Sequence, residues 1–136
     1  MSGLQQRLHY KNSRITEILG MLSRTDRPVG LCGAGMYAGI LSEKLPEYGV
    51  KPQFIVLEEK YISSMGSNAY GLPVISTREC AEKYPDSYII IAHIYNYENE
   101  WSVVKRTQQL LTPDNEIITL GAVWLSSLDF MNSSYV

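Results

Sequence analysis

An α/β fold, doubly wound about a mostly parallel sheet with helices on both faces, is predicted by three observations. Short aliphatic runs alternate along the 136-residue chain with segments of helical period. The first run stops at Gly33-Ala34-Gly35 and gives way at once to a helical pattern, the opening of a βαβ unit. The most hydrophobic run, Tyr88-Ile89-Ile90-Ile91-Ala92, shows no polar alternation, as a central parallel strand covered on both faces requires. About five strands are therefore expected, in one Rossmann-like three-layer domain.

Each element has its own signal. Ile15, Ile18, Leu19 and Leu22 recur at i, i+3, i+4, i+7 and predict a helix over 13–24. Pro28 ends this N-terminal segment (1–27), because it disfavours helical geometry in the residue before it. Val29–Cys32 reads as the first strand. The next helix starts near Met36, turns Ala38, Leu41 and Leu45 to the sheet, and ends about Pro46 with Gly49 closing the turn. Residues 53–57 form the second strand. The polar, small-residue stretch 60–70 reads as a loop, and 72–75 as a strand with Pro73 at its start or on an edge. Ser76 or Thr77 caps a helix running to about Tyr84. After the Ile-rich strand come a helix over 98–111 and a last strand over 116–120.

The core thus spans about 28–122, and an apolar tail follows. Val123, Trp124, Leu125, Leu128, Phe130 and Met131 need a surface to pack against. A homodimer mate or an adjoining catalytic domain is the expected one.

Composition narrows the function. A formal charge of −2 leaves no basic field for a nucleic-acid backbone or an anionic membrane, so neither is expected as a partner. No apolar run approaches the roughly 20 residues of a membrane span, and no signal pattern opens the chain, so a cytoplasmic protein is the default. Cys32 and Cys80 form no Cys-x-x-Cys pair and read as small buried hydrophobes. His9 and His93 lie far apart, so no metal site is expected.

The chemistry-bearing residues collect where the strands end. Gly33-Ala34-Gly35-Met36-Tyr37-Ala38 matches G-x-G-x-x-G/A: Gly33 for a tight turn, Gly35 for close approach of a phosphate, Ala38 for helix–sheet contact. The helix N-terminus adds N–H groups and partial positive charge, with Met36 and Tyr37 beside the ligand. The same glycines can also serve a tight turn alone. An acid is wanted at the end of the second strand to hold a ribose diol; Glu58, with Glu59 beside it, stands there. His93 follows the Ile-rich strand at the sheet's carboxyl edge, with Tyr95 and Asn96 nearby. His93 is the one candidate for a catalytic group. No Gly-Lys-Ser/Thr follows the glycines, which argues against an NTPase or kinase.

The order glycine turn, strand ending in an acid, Gly71-Leu72-Pro73-Val74-Ile75-Ser76 and Ile-rich strand resembles a small domain found in two enzyme groups. These are the FkbM-type methyltransferases and the sugar-nucleotide acetyltransferases. The resemblance covers about 28–122. It implies a nucleotide-sugar with its phosphates at Gly33, Ala34 and Gly35, and an accessory rather than a catalytic role. In the acetyltransferases an Asp follows a phenylalanine and one aliphatic residue, whereas here the acids Glu58 and Glu59 come later. Two other readings stay open: the NAD-binding domain of an oxidoreductase or redox sensor, supported by Glu58, and a fragment of a methyltransferase binding S-adenosylmethionine.

Overall fold

The computed structural model of the chain describes residues 15–93 and 99–120. Among the described residues, 15–24 are helical and are labelled α1. It is followed by β1 (Val29–Cys32), α2 (Met36–Lys44), a 3-10 turn (Leu45–Tyr48), β2 (Phe54–Leu57) and α3 (Glu59–Met65). Then come β3 (Asn68–Ala69), β4 (Leu72–Ser76), α4 (Thr77–Lys83), β5 (Tyr88–Ile91), α5 (Glu100–Leu110) and β6 (Glu116–Ile118).

The strands form one sheet in the order β3-β4-β2-β1-β5-β6, parallel except for the β3–β4 pair. From β1 the chain winds outward through β2 to β4, then returns to the other side of β1 as β5 and β6. Right-handed crossovers make that reversal place the helices on opposite faces. Side-chain parity agrees. Val29, Leu31, Ile55, Val74 and Ile90 meet Ile15, Leu19 and Leu22 of α1 and Ala38 and Leu41 of α2 in one core. Phe54, Val56, Ile75 and Ile89 face the other way and pack with Cys80 of α4. The expected α/β sandwich is the structure found.

Several details follow from single residues. Gly49, at φ 81°, closes the 3-10 turn that Pro46 opens. Ser76 caps α4 by accepting from the Glu79 N–H at 3.0 Å. Gly30 is a glycine because the Phe54 ring lies across it; a Cβ there would overlap the ring. That ring is itself stacked on Tyr84, with centroids 4.4 Å apart. At the start of β5, Arg27 lies 4.1 Å above the Tyr88 ring and donates to the carbonyls of Asp86 and Asp114.

One expectation is corrected. Residues 60–70 are not a loop: α3 fills 59–65, and the short β3 makes a sixth strand. Among the described side chains of α3, Ile62 alone packs against the core, and the polar and small residues around it hide any helical period in the sequence. Tyr70 (φ 53°) and Gly71 (φ 78°) form the two-residue hairpin loop between β3 and β4. Both φ values are positive, the backbone of a type I′ turn. The apolar tail at 123–136 lies outside the described residues, as does 1–14.

Candidate functional site

The sheet reverses its winding between β1 and β5, so the crevice that open α/β sheets offer to ligands lies beyond the carboxyl ends of those strands. Two loops meet there. A Cβ on Gly33 would stand 2.9 Å from the Ala92 carbonyl oxygen and 3.5 Å from His93 Cβ. Gly33 also has φ 125°, so the fold itself requires glycine at this position.

Gly35 is different. It is the exposed N-cap of α2 with φ −84° and ψ −164°, a conformation open to any residue. Among the described residues a Cβ there would meet nothing within 4 Å. Tight turning therefore accounts for the first glycine and leaves the second without a structural reason. Around it, Ala34 is buried, Met36 is 66% exposed, and Tyr37 leans half-buried on the core. No acidic side chain stands in the first turn of α2, and its N-cap, a glycine, has no side chain to cap it. A helix start of this kind favours an anion. Tyr70 reaches the same turn from the β3–β4 hairpin, its hydroxyl donating to the Gly35 carbonyl at 2.9 Å.

On the α4/α5 side of the sheet edge lies a pocket of about 150 Å³. Cys32, Val56, Glu58 and His93 form its strand side, Thr77 opens α4 at its wall, and Val103, Arg106, Thr107, Leu110 and Leu111 close it from α5 and its end. Glu58 and His93, singled out from the sequence, are thus brought to one cavity with Cys32, the residue before the glycine turn. Glu59 instead begins α3, exposed. Tyr95 and Asn96 lie outside the described residues.

Glu58 is not alone at the end of β2. Arg106 Nη2 donates to its Oε1 at 2.8 Å, and Lys60 Nζ lies 3.5 Å from Oε2. The Arg106 hydrogen bond holds the Glu58 carboxyl below its ordinary range, helped by the charges of Arg106 and Lys60 and opposed by partial burial. Sequence reading missed Arg106, Thr77 and Tyr70. Arg106 sits among the charged and polar residues of an exposed helix, and only the fold carries that helix back over β2.

The cysteines are chemically quiet. Burial, with smaller contributions from Cys80 and Glu58, pushes the Cys32 thiol up to about 12. Burial likewise raises Cys80 to about 11, against a small opposing hydrogen bond with Ser87. At neutral pH both are thiols, and the thiolate is the nucleophile. The folded chain should therefore react with a thiol-disulfide reagent far more slowly than the chain in denaturant. Rapid labelling of two thiols in native buffer would contradict this. The raised values also fix a sign. Below the ordinary thiol value of 9.0 both states stay protonated and nothing is lost; as pH rises from there toward 12, the unfolded chain ionises first and stability falls.

Among the described residues no group of three His, Cys, Asp or Glu side chains could hold a metal ion, and no helix is long and apolar enough to cross a membrane. No protein-family model, no curated protein and no solved structure matches this chain.

Proposed function

We propose that the chain is a binding domain for a nucleotide or nucleotide-sugar, with the ligand's phosphates against Gly33, Ala34 and Gly35. The observation that carries this reading is Gly35. It is a glycine in an unstrained conformation, with open space among the described residues where its side chain would be, at the start of a nine-residue helix whose N-cap has no side chain to cap it. Close approach of a phosphate to the backbone gives that glycine a purpose, and the first-turn N–H groups of α2 supply the donors. The resemblance to the small domains of FkbM-type methyltransferases and sugar-nucleotide acetyltransferases favours a nucleotide-sugar and an accessory role beside a transferase domain or a homodimer mate.

A second reading, an NAD-binding domain, is favoured by Glu58 at the end of β2. Its partner Arg106 bears on that reading, because an arginine at this strand end is what accommodates a 2′-phosphate.

A thermal-shift panel of UDP-, GDP- and dTDP-sugars, NAD, NADP and S-adenosylmethionine tests both. A ligand present at 100 times its Kd adds about 2.7 kcal/mol of stability. Stabilisation by one sugar-nucleotide class supports the first reading. A response to NAD over NADP, reversed by about tenfold in affinity in Glu58→Gln as Arg106 is freed, supports the second. No shift with any of them overturns both.

A further inference from the structure

We propose that the outer flank of α5, built on Trp101 and Val104, is a docking surface whose occupant is the chain's own apolar tail, residues 123–131. The inference goes beyond the nucleotide reading and does not depend on it. At 3.6 residues per turn α5 has two opposite flanks. Val103, Arg106 and Leu110 line the pocket on one of them. Trp101 and Gln108 lie about half a turn from those three, with Val104 beside them. Hydrogen bonds fix where that second flank faces. At one end of α5 the Thr119 hydroxyl donates to Glu100 Oε1 at 2.8 Å. At the other, Gln108 Nε2 donates to the carbonyls of Thr112 and Asn115 at 2.7 and 2.9 Å. The helix therefore lies along β6, the outermost strand on its side of the sheet among the described residues. Its pocket flank turns inward to Cys32 of β1 and Val56 of β2, so its Trp101 flank overhangs the outer edge of β6.

Trp101 is 75% exposed there, and Val104 is half-buried. One exposed tryptophan needs no partner by itself; the course of the chain is what names one. Thr119, bonded to Glu100, precedes Leu120, which is buried in the core. The chain thus leaves the described residues beside the first turn of α5. At most about 11 Å separates Leu120 from Val123, where the series Val123, Trp124, Leu125, Leu128, Phe130 and Met131 begins. A segment so tethered is present at the flank at about millimolar effective concentration, which a second copy in dilute solution does not match. Charge agrees. Asp129 is the one charged residue of 121–136, and Lys105 stands exposed one turn on from Trp101. Contact removes apolar area from water on both surfaces. The sequence left the tail to a mate or an adjoining domain; the point at which it leaves β6 favours α5 of its own domain.

Indole fluorescence of the full chain tests the proposal, because Trp101 and Trp124 are its two tryptophans. In Trp124→Phe the reporter is Trp101. The expected result is emission shifted to the blue and acrylamide quenching severalfold weaker than in urea, both unchanged by dilution. Both should be lost when Leu125→Asp and Leu128→Asp are added. A reciprocal pair keeps the test open if those aspartates disturb folding. Position 101 is exposed, so Trp101→Phe and Trp101→Asp should both fold, with Trp124 as reporter. Trp124 should be protected in the first and quenched severalfold more strongly in the second. Quenching of Trp101 as strong in folded Trp124→Phe as in urea would overturn the proposal. So would protection untouched by the two aspartates in a folded chain, or equal quenching of Trp124 in Trp101→Phe and Trp101→Asp. Protection that fades on dilution would assign the surface to a second copy and overturn the tail as its occupant.

Discussion

Replacing Gly30 by valine should destabilise the domain by about 3 kcal/mol, the upper end of what overpacking a close-packed core costs. The new Cβ would occupy the space of the Phe54 ring, and the ring has nowhere to go. Phe54 is fully buried, and its far face is stacked on Tyr84 at 4.4 Å with the ring planes 15° apart. Moving it would break that stack and push on α4, because Tyr84 directly follows the helix. The mechanism is separable from a general intolerance of the strand. Phe54→Ala alone should cost about 3–5 kcal/mol through the cavity it leaves. In the double variant the valine side chain falls into that cavity, so the two losses should sum to at least 1 kcal/mol less than additivity demands. Denaturant unfolding of the four proteins measures the cycle. Strict additivity would mean that Gly30 and Phe54 do not compete for the same space.

Much of this fold was legible because most of its elements announce themselves locally. β1 runs from Val29 to Cys32, as its apolar run between Pro28 and Gly33 indicates. Pro46 and Gly49 mark the end of the second helical segment, and Ser76 marks the start of α4. The helix α3 gave no such notice. It has seven residues, two of them serines, and Ile62, its one anchor among the described side chains, makes no period. Only Gly66, at φ 79°, carries a stop signal, and a glycine in a polar stretch suits a loop equally well.

The candidate site divides in the same way. Its backbone half was readable, since Gly33 and Gly35 follow a strand and precede a helix. The half made of side chains from distant segments was not. Arg106 meets Glu58 across 48 positions of sequence, and Tyr70 meets Gly35 across 35. Neither pair has any local pattern, because it exists only after α5 and the β3–β4 hairpin have docked. Glu58 shows the consequence. Its position at the end of β2 was foreseen from spacing, but its electrostatic state is set by Arg106, which the spacing does not reveal.

The two glycines of the turn should respond in opposite ways to substitution, and that contrast is the sharpest test of the phosphate site. Gly33→Ala should destabilise the domain by about 1–3 kcal/mol, since φ 125° suits only glycine and the Ala92 carbonyl already fills the Cβ position. At Gly35 the fold asks for nothing. Valine there should cost about 1 kcal/mol at most, as a poor N-cap replacing a modest one. Aspartate should stabilise the unliganded domain by a few tenths of a kcal/mol, because its carboxylate can cap α2 and face the positive helix end. Both variants should nevertheless lose nucleotide and pyrophosphate binding by about 100-fold or more, about 2.7 kcal/mol. Valine would occupy the space the phosphate needs, and aspartate would add a like charge to it. Thermal melts report the first effect and titration the second, so a folding defect cannot imitate a binding defect. Gly35→Asp is the decisive variant, for it is expected to be more stable and less able to bind. Should it bind pyrophosphate as wild type does, the open space at Gly35 has some other purpose, and the helix start of α2 is not where the phosphates lie.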